Sequence, residues 1–451
     1  MDKFARKLFC TGLFLCIACA AAAIEVQLEY LRYPDEQETY LPTGIARLRS
    51  SLNPPEGEWA FPEFNSARPV YSMIMLGDAE KLLILDCQRK ADEYYNRIYF
   101  DANANKDLTD DPIIEGALNS VSGRQDRRIQ FPAVDTEIMI GGKSLPYSFR
   151  PDFMGRLVAV DRGPISEQML SRMIYSYMRV NCAYKGKFEI DGESYTAYLG
   201  DSNCNGSFSE KFELRKISNL PEGRLPIFNK GDSFFISLSE EIDVSDAQVC
   251  GDWLLIKNRL FAVNIDQANQ KMTLKPVTKN LVRLGLAMQP EHISMYTEGG
   301  EHFLMTCQPD KKIDIPEGKY RLYNYKLLKE DDQGDLWSLS ARATTGCPWV
   351  NLTGRDDPVL LFGEPFIASA EVPESRLTTI LGTTKAQNSV FLLFFLRGKG
   401  NENIQDLSHI RGSNSKIPLS GKEGLTHRPK EPTYKILSEG KTVAQGSFEY
   451  G

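Results

Sequence analysis

Histidine is scarce in this chain, which has only four in 451 residues. The chain therefore has few residues that could form a site that depends on imidazole, whether for metal binding or for acid–base catalysis. A surplus of basic residues is also absent, because the formal net charge is -7 at pH 7. Nucleic acids and anionic membrane surfaces attract basic protein surfaces. The composition therefore argues against both of these partners, and we expect no binding to nucleic acid.

Long apolar runs are lacking except at the N-terminus. Basic residues, an apolar run and small residues follow one another within residues 1–23, which is the pattern of a secretory signal peptide. The run is too short for a membrane span. We therefore predict a mature chain that begins near Ile24, has no transmembrane segment, and is secreted, periplasmic or held at the cell surface. A lipoprotein is the alternative, because Cys19 lies late in the apolar run.

Cysteine is sparse for an exported chain, with nine residues of which six follow the predicted signal peptide. That number is too small for a disulfide scaffold. An even count in an exported chain permits disulfide pairing, whereas buried free thiols are the alternative. The six residues are Cys87, Cys182, Cys204, Cys250, Cys307 and Cys347.

Strand-like runs separated by hairpin turns recur along the remaining chain. About 430 residues are too many for one core, so we expect several domains. The predicted fold class is mainly β, built from antiparallel sheets. We divide the chain into a β-rich domain at 24–280, a small β module at 281–357 and an immunoglobulin-like β-sandwich at 358–451, the last from its size and strand count. Two helices are predicted as well, at Ser166–Met178 and Glu374–Leu381.

Two polar loops follow aromatic strands inside the first domain. If Asp101 is position 1 of the first loop, side chains with oxygen atoms recur at every second position as far as Thr109, and apolar Leu108 can anchor the loop in a core. Calcium takes six to eight oxygen ligands, which alternate residues of a tight loop can supply. We therefore predict a calcium site, with a carboxylate after the alternating positions to close it. The predicted ligands are Asp101, Asn103, Asn105, Asp107 and Asp111.

The second loop begins 100 residues later, at Asp201, and has the same alternation of oxygen-bearing side chains. Gly206 stands at its sixth position and Phe208 at its eighth. The matching contexts indicate a weak internal duplication of a strand and its loop. The predicted calcium ligands of this loop are Asp201, Asn203, Asn205, Ser207 and Glu210.

Both loops resemble the calcium loops of EF-hand and dockerin proteins, over about a dozen residues each. The resemblance implies calcium as the bound ion and position 1 as a shared ligand. The first loop departs from the pattern, because Lys106 stands where glycine is usual and Pro112 where a bidentate glutamate is usual. The flanks are strand-like, so we expect loops inserted into a β scaffold. The first loop has more carboxylates and should bind calcium more tightly; plain polar turns are the alternative.

No motif of a serine hydrolase, a zinc protease or a nucleotide-binding loop occurs in the sequence. Our first hypothesis is therefore a non-catalytic exported or cell-surface protein with calcium-stabilised β domains and a binding or structural role. Its partner would be an extracellular or envelope protein or a glycan. One alternative is an extracellular glycan hydrolase with an unrecognised carboxylate pair in residues 24–280. The aromatic segment Trp59–Phe64 would then line a groove, whereas packing in a core or between domains is the other interpretation of this segment. Another alternative is a subunit of an envelope assembly.

Overall fold

Short β-strands make up most of the described chain. The computed structural model describes residues 22–34, 44–121, 127–155, 166, 169, 173–214, 231–238, 246–354, 357–371, 392–412, 417–422 and 424–450. The strands of the first half are β1 (Ile24–Gln27), β2 (Glu29–Arg32), β3 (Ile45–Arg47), β4 (Val70–Leu76), β5 (Ala79–Asp86), β6 (Arg97–Phe100), β7 (Ile114–Glu115), β8 (Ala117–Val121), β9 (Arg127–Gln130), β10 (Val134–Ile140), β11 (Lys143–Gly155), β12 (Ile174–Val180), β13 (Cys182–Ile190), β14 (Glu193–Gly200), β15 (Ser233–Ser237) and β16 (Gln248–Val249).

The second half of the chain continues in the same way, and a 3-10 helix, Gln267–Asn269, lies between two of its strands. Its strands are β17 (Trp253–Ile256), β18 (Arg259–Asp266), β19 (Lys271–Pro276), β20 (Leu281–Leu286), β21 (His292–Thr297), β22 (Phe303–Cys307), β23 (Lys312–Pro316), β24 (Gly318–Glu330), β25 (Leu336–Arg342), β26 (Val350–Leu352), β27 (Val359–Leu360), β28 (Ile367–Glu371), β29 (Leu393–Arg397), β30 (Asn403–Arg411), β31 (Thr433–Ser438) and β32 (Lys441–Ser447).

Most neighbouring strands pair antiparallel, and the prediction of a mainly β protein with several antiparallel sheets is confirmed. The largest sheet has 12 strands, in the order β1-β19-β18-β17-β22-β21-β24-β25-β30-β29-β28, with β26 paired to β24. Strands β17 and β22 run parallel within it. This sheet draws strands from all three predicted domains, so its hydrogen bonding continues past residues 280 and 357. The domain boundaries stay a prediction.

The C-terminal strands divide between two sheets. Strands β28, β29 and β30 extend the 12-stranded sheet, whereas β31 and β32 form a separate two-stranded hairpin. The immunoglobulin-like sandwich at 358–451 therefore stays a prediction in its detail.

The helix predicted at Ser166–Met178 is wrong over its last residues, because residues 174–178 belong to strand β12. Every second residue of β12 is buried, starting with Ile174, which is the period of a strand. The strand lies between β3 and β11 in a six-stranded sheet. Most of residues 166–173 and the whole second predicted helix, Glu374–Leu381, lie outside the described residues.

Two smaller sheets carry the polar loops. Strands β4 to β7 form a four-stranded sheet, and the first loop connects β6 to β7. Strands β16, β15, β14, β13 and β2 form a five-stranded sheet, and the second loop follows β14. One continuous hydrophobic core includes buried residues of both sheets, such as Phe100 and Leu199 at the ends of the strands before the loops. Each loop therefore starts from a strand end that the core holds in place.

The six cysteines beyond residue 23 are all buried and form no disulfide. The alternative of buried free thiols therefore describes them in this structure. Within the part of the chain that the structure describes, no helix is long and apolar enough to cross a membrane.

Candidate functional site

Asp101 opens the first loop from a fully buried position. Its backbone N–H donates to Leu82 O at 2.9 Å, which continues the pairing of β5 with β6. Its side chain is 0% exposed. The carboxylate at position 1 is therefore placed by the sheet and turned away from solvent.

Side-chain oxygens of the first loop fold it into successive turns. Asn105 N–H donates to Asp101 Oδ1 at 3.1 Å and to Asn103 Oδ1 at 2.9 Å, and Asp107 N–H donates to Asn105 Oδ1 at 2.8 Å. Asp and Asn favour such turns because their short side chains accept from the backbone two residues further on. Ala104 and Lys106 take left-handed conformations, with φ of 57° and 67°. The alternating positions predicted as ligands are thus brought onto one tight coil.

Two carboxylate oxygens of this loop are buried without a hydrogen bond. Asp111 returns to the start of the loop, where its Oδ1 accepts from Ala102 N–H at 3.1 Å. The other oxygens, Asp101 Oδ2 and Asp111 Oδ2, are buried and have no hydrogen-bond partner. A buried polar atom left unsatisfied costs about 1–3 kcal/mol. These two oxygens therefore favour a cation between positions 1 and 11.

The pKa values of the two carboxyls reflect their crowding. Burial raises the pKa of Asp101, while loop N–H groups and the Lys81 charge oppose this rise. Burial also raises the pKa of Asp111, and the negative charges of Asp101 and Asp110 add to the effect. The two side chains therefore repel each other electrostatically, and a bound cation would relieve both the burial and the repulsion.

A lysine that sequence analysis missed lies beside these carboxylates. Lys81 in β5 is 2% exposed, and its ammonium donates to Thr136 Oγ1 at 3.1 Å, to Glu137 O at 2.9 Å and to Ala102 O. Burial lowers its pKa, and the charges of Asp101, Asp111 and Glu137 oppose this. Lys81 is thus a buried cation that partly neutralises the negative charge of the loop, and it would repel a metal ion bound there.

An aromatic segment anchors the far side of the first loop. Ala60 N–H donates to Lys106 O at 2.9 Å, and Leu108 N–H donates to Ala60 O at 3.0 Å. Leu108 is buried in a small cluster with Tyr71, Tyr99 and the half-buried rings of Trp59, Phe61 and Phe64. This packing supports the interpretation of Trp59–Phe64 as core. It also places the Trp59 ring near the loop, with Lys106 Nζ 5.8 Å from the ring centre.

The second loop is organised around a carboxylate whose acceptor sites are filled. Asp201 is 0% exposed, and its Oδ1 accepts from the N–H groups of Asn203 at 3.0 Å and Cys204 at 2.7 Å. Its Oδ2 accepts from Gly206 N–H and from Tyr147 Oη, both at 2.8 Å. A carboxylate offers about four lone-pair sites in all. The hydrogen bonds of Asp201 occupy that capacity, in contrast to those of Asp101.

The predicted ligands of the second loop converge on Glu210. Its Oε2 accepts from Asn203 Nδ2 at 2.6 Å and its Oε1 from Asn205 Nδ2 at 2.8 Å. Ser207 N–H donates to Asn205 Oδ1 at 2.8 Å, and Asn203 Oδ1 is buried with no hydrogen-bond partner. A cation would find one unsatisfied amide oxygen and the Glu210 carboxylate here. The loop therefore keeps some capacity for a metal, although less than the first.

Two distant side chains that sequence analysis missed fix the shape of the second loop. Asp232, which is 1% exposed, accepts from Ser202 N–H at 3.1 Å and from Glu210 N–H at 2.8 Å and so joins the two ends of the loop. Burial and the charge of Asp201 raise its pKa well above the usual range. Gln267 accepts from Phe208 N–H and donates to Gly206 O, both at 2.8 Å. Neither contact leaves a local spacing signal in the sequence.

The described residues contain no group of three or more histidine, cysteine, aspartate or glutamate side chains arranged to hold a metal ion. A calcium ion in either loop would therefore need amide, hydroxyl and backbone oxygens beside the carboxylates, as calcium loops commonly use. No family model, no curated protein and no solved structure matches the chain.

Proposed function

We propose that the protein is a non-catalytic exported or cell-surface protein whose β domains are stabilised by calcium, bound first in the loop that starts at Asp101 and more weakly in the loop that starts at Asp201. The observation that carries this proposal is the pair of buried, unpartnered oxygens of Asp101 and Asp111. Calcium would ligate these oxygens directly and draw on the amide oxygens of Asn103 and Asn105, each of which has a second lone pair.

The proposed order of calcium affinity is supported by the number of hydrogen bonds that the carboxylate at position 1 of each loop accepts. Four donors fill the acceptor sites of Asp201, whereas Asp101 Oδ2 accepts no hydrogen bond from a described residue. The first loop also has more carboxylates, and ligand charge is a main determinant of calcium affinity. Lys81 acts in the opposite direction, so we expect a site of moderate affinity, suited to a compartment rich in calcium.

Thermal unfolding in chelator and in millimolar calcium tests the proposal. A site filled about 100-fold over its Kd adds about 2.7 kcal/mol to the stability of the folded state. Asp101→Ala should remove most of the calcium-dependent rise in Tm, and Asp201→Ala should remove less. Because alanine also weakens the turns, only the difference between the two conditions counts.

The matched control is Asp310→Ala, which removes an exposed carboxylate outside both loops and should leave the calcium-dependent rise intact. If the wild-type protein melts at the same temperature in chelator and in calcium, both loops are plain turns. In that case the metal part of the proposal fails.

Export is tested separately by the mass of the N-terminal peptide after expression in a secreting host. We expect a chain that begins near Ile24. A diacylglyceryl mass on Cys19 would establish the lipoprotein alternative, and an intact peptide 1–23 would contradict export altogether. The partner class in this proposal is an extracellular or envelope protein or a glycan.

A further inference from the structure

A cavity of about 240 Å³ lies where β15, β16, β21 and β22 meet, and no residue of the two polar loops lines it. An engineered protein cavity of about 150 Å³ is large enough to bind benzene. The cavity between these strands would hold a small organic molecule. The lining residues are Ile236, Ser237, Leu238, Asp246, Gln248, Glu291, His292, Thr306, Cys307 and Gln308.

Two carboxylates, Asp246 and Glu291, are among the described residues that line this cavity. Asp246 Oδ1 forms an ion pair of 2.6 Å with Lys326 Nζ, and the Lys326 side chain is 6% exposed. Glu291 is half-buried, and its carboxylate makes no hydrogen bond to any residue of the described ranges. Among the described lining residues, Asp246 is paired with Lys326, and the Glu291 carboxylate is the charged group that remains. The neighbouring Lys257 and Glu193 are paired at 2.7 Å and add no net charge.

The side chains of two neutral lining residues, Gln248 and Thr306, are already engaged in hydrogen bonds. Gln248 Oε1 accepts from Ser294 Oγ at 2.9 Å and from Thr306 N–H at 3.0 Å, and its Nε2 donates to Thr306 O at 2.7 Å. Thr306 Oγ1 accepts from Ile293 N–H at 2.7 Å and donates to Ile293 O at 2.9 Å. Specificity for a ligand therefore falls to the carboxylates rather than to these groups.

We propose that this cavity binds a small organic ammonium ion, with the ammonium on the Glu291 carboxylate and the carbon chain against Leu238 and Ile236. Lys326 does not line the cavity, but its ammonium pairs with Asp246, which does, so one carboxylate of the lining already binds an ammonium group. A monocation is the ligand that cancels the remaining charge. Burial raises the pKa of Glu291, Lys326 opposes this and Asp246 adds to it, so a bound cation would favour the ionised form of Glu291.

Isothermal titration of the full chain with n-butylammonium, n-butanol and butyrate tests this proposal, because the three probes have similar size and differ in charge. We expect one butylammonium per chain and no measurable binding of the other two. Glu291→Gln keeps the shape and removes the surplus charge, and should weaken binding about tenfold or more. Glu301→Gln, which neutralises an exposed carboxylate in the turn between β21 and β22, should leave the affinity unchanged.

A second variant keeps the test decisive if Glu291→Gln does not fold. Leu238 is 44% exposed, so Leu238→Trp fills the cavity without altering its charges and should abolish butylammonium binding. Equal binding of butanol would mean an apolar pocket, and tighter binding of butyrate would mean that Lys326 selects anions. Either result, or the absence of butylammonium binding, would overturn the proposal. None of these outcomes bears on calcium.

Discussion

Tyr147 donates a hydrogen bond of 2.8 Å to Asp201 Oδ2, and no described residue donates to the matching Oδ2 of Asp101. Tyr147 lies in β11, in a different sheet from Asp201, and is 1% exposed. One loop thus completes its central carboxylate with a side chain from another sheet. In the first loop, no described residue donates to the corresponding oxygen, Asp101 Oδ2. This difference underlies the order of calcium affinities that we propose.

Removing the Tyr147 hydroxyl should destabilise the second loop whether or not calcium is present. Tyr147→Phe leaves Asp201 without one of its four donors, and we expect the free energy of unfolding to fall by about 1–3 kcal/mol in chelator. Urea unfolding measures this change. The control is Tyr175→Phe, because Tyr175 is half-buried and its hydroxyl has no hydrogen bond to a described residue. Equal losses in the two variants would refute a special role for the Tyr147–Asp201 contact.

Replacing Lys81 should strengthen calcium binding by the first loop. Its ammonium lies near Asp101 and Asp111, so Lys81→Met removes a repulsive charge worth about 1 kcal/mol, which is roughly a fivefold lower Kd. Calorimetric titration is the right measurement, because the lost hydrogen bonds of Lys81 also lower the baseline stability. Lys312→Met is the control, because it removes an exposed ammonium outside both loops and should leave the affinity unchanged. A weaker affinity in Lys81→Met would mean that the lysine positions the loop instead of opposing the metal.

As the pH falls, the first loop should lose calcium at a higher pH than a site built from carboxylates with ordinary pKa values. Burial raises the pKa of Asp101 and of Asp111. Without calcium, the stability these groups provide is present below their unfolded pKa of about 3.9 and is lost as pH rises through the folded value. Calcium binds the ionised forms, so its stabilising effect should grow with pH across the same window.

The measurement is the calcium-dependent rise in Tm between pH 4 and pH 7, compared between wild type and Asp111→Asn. The charged groups facing the two carboxyls are Lys81 and Asp110, together with Glu137 near Lys81. We expect the variant to have a smaller rise and a weaker dependence on pH. A rise that does not change with pH would contradict a site built on Asp101 and Asp111.

Gly206 should tolerate alanine much less well than Gly192, although both have left-handed backbones. The φ angles are 84° and 80°. A Cβ at Gly206 would lie 2.7 Å from Ile138 Cδ1 and 3.0 Å from Gly77 N, whereas a Cβ at Gly192 meets nothing within 4 Å. We expect Gly192→Ala to cost about 1 kcal/mol of backbone strain, and Gly206→Ala about 1–3 kcal/mol more from the clash. Urea unfolding in chelator separates the two, and equal costs would contradict the close packing.

The local parts of this structure were predictable from sequence, because short-range patterns encode them. Strand periodicity and hairpin turns predicted the mainly β fold, and the alternation after Asp101 and Asp201 predicted loops that do fold around their first residue. The strand β12 was missed for a local reason too. Ser176 faces inward while Tyr175 and Tyr177 are half-buried, so polarity does not follow the alternation of burial.

Long-range contacts were beyond the reach of sequence patterns. Tyr147 is 54 residues from Asp201, and Gln267 is 59 residues from Phe208. Lys81 reaches Glu137 across 56 residues. Each side chain comes from an element whose own sequence gives no sign of the loop, and only tertiary packing brings the two together. The spacing of residues in the sequence therefore identified the loops but not the distant side chains that contact them.

The pairing of β1 with β19 joins Ile24 to Leu274, which is made 250 residues later. During synthesis, β1 is therefore made long before β19, and its backbone groups have no strand partner until β19 has been made. Long-range pairing of this kind is slow, because a large loop must close before the contact forms. The sheet that ends at β1 can therefore be completed only after β19 has been made.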